Sequence, residues 1–174
     1  MYYCKKYIND TLSKVFYLRL TRNGNLVLEG LCRQMFKGGF VWKEYAFVED
    51  TLDGRYTEYY ANENLKNIVN YHKGVREGRT VEYYPNGSMR VTGPLHRGAR
   101  QGEWRFYYDN GQLREIGTYE VLEITDQNEK ELTDFIDNWV DDKLVYLKEG
   151  LWRYYDAQGK LTKETQFSKG RTLK

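Results

Sequence analysis

Cysteine, histidine and proline each occur only twice in this chain of 174 residues. Cys4 and Cys32 stand too far apart for a metal-binding or redox motif. A chain of this length has no need of a disulfide scaffold, so both are expected as ordinary thiols in a reducing compartment, the cytoplasm. With 40% hydrophobic and 30% charged residues, the composition excludes collagen-like and disordered chains. No apolar run reaches the length of a signal-peptide core or a membrane span, and Lys5, Lys6 and Asp10 break up the N-terminus. A net charge of +2 gives no global pull towards nucleic acid or a membrane.

Tyrosine is abundant instead, at 17 residues, and an aromatic excess favours pleated, half-buried strands. The tyrosines are ordered by a repeat of 24 residues: Gly54, Gly78 and Gly102 obey it, as do Tyr59-Tyr60, Tyr83-Tyr84 and Tyr107-Tyr108. Asn62-Glu63, Asn86-Gly87 and Asn110-Gly111 fall in the same phase. Trp104-Arg105, Tyr107, Gly111 and Leu113 recur 48 residues later as Trp152-Arg153, Tyr155, Gly159 and Leu161, so one repeat length has been replaced. A degenerate copy is visible at Asn23-Gly24-Asn25-Leu26 followed by Gly30. Residues 31–53 fit the pattern poorly, as expected of a terminal, capping unit.

Each repeat reads as a β-hairpin. Val81 with Tyr83, and Trp104 with Phe106 and Tyr108, alternate onto shared faces. Asn86-Gly87 and Asn110-Gly111 are expected to supply both positive-φ positions of a type I′ turn. The expected fold is mainly β, tandem antiparallel hairpins forming an extended twisted sheet with one inserted amphipathic helix. Residues 1–174 form a single repeat domain in this reading. It comprises degenerate repeats or a cap over 1–53, regular repeats over 54–119, an acidic helical insert over 120–149 and a C-terminal repeat over 150–174. Within the insert, Leu132, Phe135, Ile136, Trp139 and Val140 form the apolar stripe of a helix over about residues 127–142, capped by Asp126 or Asn128 ahead of Glu129 and Glu131.

The strings GRTVEYYPNGSMRVTG and GEWRFYYDNGQLREIG, with the connectors YHKGVREG and LHRGARQG, resemble the MORN-repeat variant found in many bacterial proteins. The likeness covers residues 52–119 well and 150–170 fairly. Some members of that family are antitoxins or immunity partners of toxins, and eukaryotic relatives are linked to membrane lipids, junctions and scaffolding. The resemblance therefore implies a binding scaffold.

Nothing in the sequence calls for a catalyst. There is no phosphate loop, nucleophile elbow or metal-ligand spacing, and no cofactor is expected. His72 and His96 hold equivalent positions in successive repeats, about 10 Å apart at two strand spacings, too far to share a metal. The charge is uneven, however. Residues 71–105 carry seven Lys/Arg against three acids, and residues 120–149 carry ten acids against three lysines. Two sets of candidates follow. For a protein partner, either a toxin or a second copy of the chain, they are the acidic helix with Asp134, Asp137, Trp139, Asp141 and Asp142, and an exposed row with Tyr84, Trp104, Tyr108 and Trp152 on the open face of a one-layer sheet, although most of Tyr83, Trp104, Phe106, Tyr107, Trp152 and Tyr155 should be packing. For an anion or weak membrane contact they are the connector cations Lys73, Arg76, Arg97 and Arg100, which sheet edges also use simply to prevent aggregation.

Overall fold

The computed structural model describes residues 1–8, 11–125, 127–138, 140 and 143–173; of residues 11, 12, 136 and 137 only the backbone is described. Sixteen strands belong to one sheet, and every pair whose register is defined is antiparallel. Contacts divide the chain into two compact units, residues 1–77 with 82–87, and residues 78–81 with 88–174. The division falls within the regular repeats, where the sequence alone suggests a single repeat domain.

The first unit contains β1 (Tyr2–Ile8), β2 (Thr11–Leu20), β3 (Leu26–Leu28), β4 (Gly30–Met35), β5 (Val41–Val48), β6 (Thr51–Leu52), β7 (Gly54–Tyr59) and β8 (Leu65–His72). Its path runs β1-β2-β4-β5-β7-β8, with β3 on β2 and β6 on β5. β9 (Val75–Tyr83) contributes residues to both units. The second unit adds β10 (Met89–His96), β11 (Ala99–Arg100), β12 (Gly102–Tyr107), β13 (Leu113–Glu123), β14 (Leu144–Tyr155), β15 (Leu161–Ser168) and β16 (Arg171–Thr172). It is ordered β10-β12-β13-β14-β15-β16, with β11 on β10.

Two kinds of turn join the strands, and they correct the expected turn chemistry. At Tyr84–Ser88 and Tyr108–Gln112 only the glycine has positive φ, +87° at Gly87 and +84° at Gly111. The N–H groups of Gly87 and Gly111 donate to the carbonyls of Tyr84 and Tyr108 at 2.9 and 3.0 Å. This is a type I turn closed by a left-handed glycine, and the strand register shifts beside it at Phe106/Tyr107. Asn110 takes part through its side chain, whose Oδ1 accepts from Gln112 N at 3.0 Å. The two-residue type I′ turns lie in the connectors instead. Both φ values are positive at Glu49-Asp50, Lys73-Gly74, Arg97-Gly98 and Lys169-Gly170.

A carboxylate twenty residues upstream secures three of these connector turns. Glu29, Asp53 and Glu149 accept from the N–H groups of Glu49, Lys73 and Lys169 at 3.2, 3.1 and 2.7 Å. Residues 31–53, a poor match in sequence, thus form a hairpin in phase with the rest, and Phe36–Phe40 makes the same turn as Tyr60–Asn64. The repeat signal there lies in backbone conformation rather than in aromatic identity.

The insert departs further from expectation. Helix α1 covers only Glu129–Leu132, and a 3-10 segment Thr133–Asn138 is interrupted at Phe135 by φ −116° and ψ 24°. Asn128 is the N-cap residue without a side-chain cap. Its amide turns back, accepting from Thr125 N at 2.7 Å and donating to Glu123 O at 2.9 Å. Leu132 is buried against Val145 and Leu147, with Phe135, Leu122 and Ile124 beside it. Packing of these few residues onto β13 and β14 prevails over a continuous helical stripe. Asp126, Trp139, Asp141 and Asp142 lie outside the described residues, as do the side chains of Ile136 and Asp137.

Candidate partner-binding face

The core of the second unit is built on two glycines. Trp104 is 2% exposed and Trp152 is fully buried. Each indole lies across a glycine, and a Cβ added at Gly93 or Gly117 would stand 2.2 or 2.1 Å from the ring. Their Nε1–H groups donate to Pro94 O at 3.0 Å and Thr118 O at 3.1 Å, so no polar atom is lost to burial. These two residues therefore leave the expected exposed aromatic row: they are core.

Cations lie over these indoles. The Arg100 guanidinium stands 4.7 Å from the Trp104 ring centroid, with Phe106, Tyr119 and Tyr146 at 5.4, 5.5 and 5.6 Å. The Lys148 ammonium stands 3.8 Å over Trp152, with Tyr154 and Phe167 at 5.3 and 5.4 Å. Ring quadrupoles attract a cation in this position, and the aliphatic stems cover the indoles. Arg100 reaches the Tyr119 hydroxyl at 3.4 Å. Burial raises the Tyr119 phenol above its ordinary value, against the opposite pull of Arg100.

Alternation along β14 sets Tyr146 and Lys148 on one face and Val145 and Leu147 on the other, where the insert packs. Leu132 and Phe135 of the insert thus lie on the face opposite these stacked cations. Its expected acidic surface is represented by Asp134, which is bonded to Arg171 at 2.9 Å.

The remaining candidates are dispersed. Tyr108 is half-buried and donates its hydroxyl to Tyr155 O at 2.9 Å; in the first unit Tyr60 donates likewise to Tyr83 O at 2.8 Å. These hydroxyls stitch the turns of neighbouring repeats together. Tyr84, half-buried, holds the equivalent position in its own repeat. Lys73 and Arg76 are exposed in the first unit, while Arg97 and Arg100 belong to the second. Arg97 lies 3.7 Å from Glu123, and Lys73 and Arg97 occupy the left-handed first position of their turns. Arg100 departs from the connector set by turning onto the aromatic face. One signal for that face was present in the sequence: a cation four residues before each tryptophan, Arg100/Trp104 and Lys148/Trp152.

His72 lies 3.5 Å from Asp53. Among the described residues no three His, Cys, Asp or Glu side chains are grouped to hold a metal, and no helix is long and apolar enough to cross a membrane.

Hairpins in register, glycine-seated indoles and acid-secured turns define an antiparallel β-hairpin repeat protein. More narrowly, residues 52–73, 76–95, 100–120 and 148–169 each match the family described as MORN repeat variant, and these matches support membership of a MORN-repeat family. That family is a non-catalytic repeat module. No curated protein matches the chain.

Proposed function

We propose that this chain is a non-enzymatic protein-binding scaffold whose partner docks on the cation-and-aromatic face of the second unit. The observation that carries the reading is the pairing of buried indoles with half-exposed cations and phenols. It offers rigid aromatic surface with charge at its centre, the side-chain types in which interface energy concentrates. Leu132 and Phe135 of the insert pack on the other face.

A photo-crosslinking amino acid at position 146, with position 153 on the opposite face as control, tests the reading in extract of the source organism. A protein adduct from 146 and none from 153 is expected. Adducts from 153 alone, or from neither position, would discard it.

The narrower version is an immunity partner of a bacterial toxin in the cytoplasm. It rests on the sequence resemblance and on the acidic stretch 120–149. Co-expression with the product of the adjoining gene tests it: rescue of growth is expected, and a harmless neighbour refutes it. Membrane-surface binding through Lys73, Arg76, Arg97 and Arg100 has less support, since Arg97 faces Glu123 and Arg100 turns away from the connector set onto the aromatic face.

A further inference from the structure

Arg100 and Lys148 occupy the same position in successive repeats, and each covers the tryptophan four residues on. Their charges are met differently. Lys148 stands 3.5 Å from Glu115 and 3.2 Å from the Tyr154 hydroxyl, and Glu115 also holds Arg114 at 3.1 Å. Glu115 is registered against Tyr154; one repeat earlier the same register pairs Val91 with Phe106. Where the repeat of Lys148 places a carboxylate, the repeat of Arg100 therefore places a valine that is 4% exposed. Its one hydrogen bond is to the neutral Tyr119 hydroxyl, and no carboxylate among the described residues lies within ion-pair distance.

The guanidinium is not sealed off. Arg100 is half-buried, and among the described residues none of its nitrogens is both buried and unpartnered. Four ring centroids lie within 5.6 Å of the guanidinium carbon, and the Tyr146 hydroxyl has no partner among the described residues. A planar fork with one positive charge in an aromatic surround matches a carboxylate, which it binds through two parallel hydrogen bonds. A phosphate dianion asks for a second cation, and the one over the same Phe106 ring, Arg114, is already paired with Glu115, whose charge opposes a second negative one.

We propose that Arg100, with Tyr146 at its rim and Trp104 beneath it, is the anchor site for a Glu or Asp side chain of the partner protein. The missing acid of this repeat is supplied in trans. This rests on the scaffold reading above and names the chemistry of what docks there.

The test pans a random peptide display library against the immobilised full chain. Enriched sequences are then made as synthetic twins, one with Glu or Asp and one with Gln or Asn, and titrated against wild type, Arg100→Met, Arg100→Lys and Arg153→Met. The acidic twin is expected to bind wild type about tenfold or more tightly than its amide, the effect of one charge-assisted contact. Arg100→Met should lower it to the amide level. Arg100→Lys, which keeps charge and stacking, should lie between. Arg153→Met, on the opposite face and paired there with Glu164, should change affinity less than about threefold.

Equal binding of the twins, or binding indifferent to Arg100→Met and Arg100→Lys, overturns the carboxylate site and leaves the scaffold reading standing on the crosslinking result. Arg100-dependent binding of phosphopeptides or phosphatidylserine vesicles in preference to the acidic peptide overturns it as well. Failure to enrich any peptide, together with failure to crosslink, removes both.

Discussion

The Trp152 indole lies flat against Gly117, so close that a single added methyl would stand 2.1 Å from its Cδ2. The same relationship joins Trp104 to Gly93 one repeat earlier, and it couples the sequence spacing of glycine and tryptophan to the closure of the core. Gly117→Ala and Gly93→Ala are expected to destabilise the second unit by about 2 kcal/mol or more each, because the indole cannot move without leaving its neighbours. Gly111→Ala, with nothing within 4 Å of its Cβ but φ at +84°, should cost about 1 kcal/mol from backbone strain alone. Chemical denaturation of the three variants checks the order. Equal losses at positions 111 and 117 would contradict the seating of the indole.

Removal of one hydroxyl tests the stitching of the turns. Tyr108→Phe loses the bond to Tyr155 O while keeping the ring, and about 1 kcal/mol should be lost, as for a single hydrogen bond. Native-state hydrogen exchange should show the loss concentrated in the turns Tyr108–Gln112 and Asp156–Lys160. A variant as stable as wild type would show that the bond to Tyr155 is not stabilising.

The connector cations offer a change in the favourable direction. Lys169 sits at φ +48°, a conformation that costs a lysine more than an asparagine. Lys169→Asn is expected to raise stability by a few tenths to about 1 kcal/mol, because the bond to Glu149 is made by the backbone N–H and survives the change. Glu149→Ala should lower it. Thermal unfolding separates these outcomes, and a destabilised Lys169→Asn would assign the lysine side chain a role of its own.

Alkaline pH supplies a fourth test. Burial, helped by Glu58, pushes the Tyr56 phenol up to about 12, and burial also raises Tyr59 and Tyr119. The folded chain holds these protons more tightly than the unfolded chain. Their contribution to stability is thus fully present below the ordinary tyrosine value of about 10 and is lost as pH rises through the folded values. Denaturant midpoints should fall between about pH 10 and 12, and Tyr56→Phe should flatten part of that fall. Phenolate absorbance showing every tyrosine titrating near the ordinary value in folded protein would refute the burial account.

Much of this architecture can be read from residue spacing. The period of Gly54, Gly78 and Gly102, the position of each hairpin turn and the polar or apolar alternation all follow from local chemistry, because a left-handed turn position selects glycine within its own few residues. Turn type was harder to read. Asn86-Gly87 and Lys73-Gly74 both pair a polar residue with glycine, and the choice between them depends on strand register and on a carboxylate twenty residues away, Asp53 for Lys73.

Burial was harder still. Repeat aromatics such as Trp104 and Trp152 read mostly as packing, with an exposed row on the open face of a one-layer sheet as the alternative, and only the approach of the neighbouring strand, with Gly93 and Gly117 at the point of contact, makes these two core. The insert's periodicity promised a helix over residues 127–142, but Leu132 and Phe135 gain more from β13, β14 and the C-terminal turn than from helical continuity. The sequence by itself determined the repeat, its phase and the hairpin in each copy, because these depend on contacts a few residues apart. Tertiary structure alone decided which aromatics are buried, which cation is left without an acid and which face remains open. Those outcomes depend on the residue that another repeat places opposite: Glu115 beside Lys148, and Val91 at the matching place before Arg100.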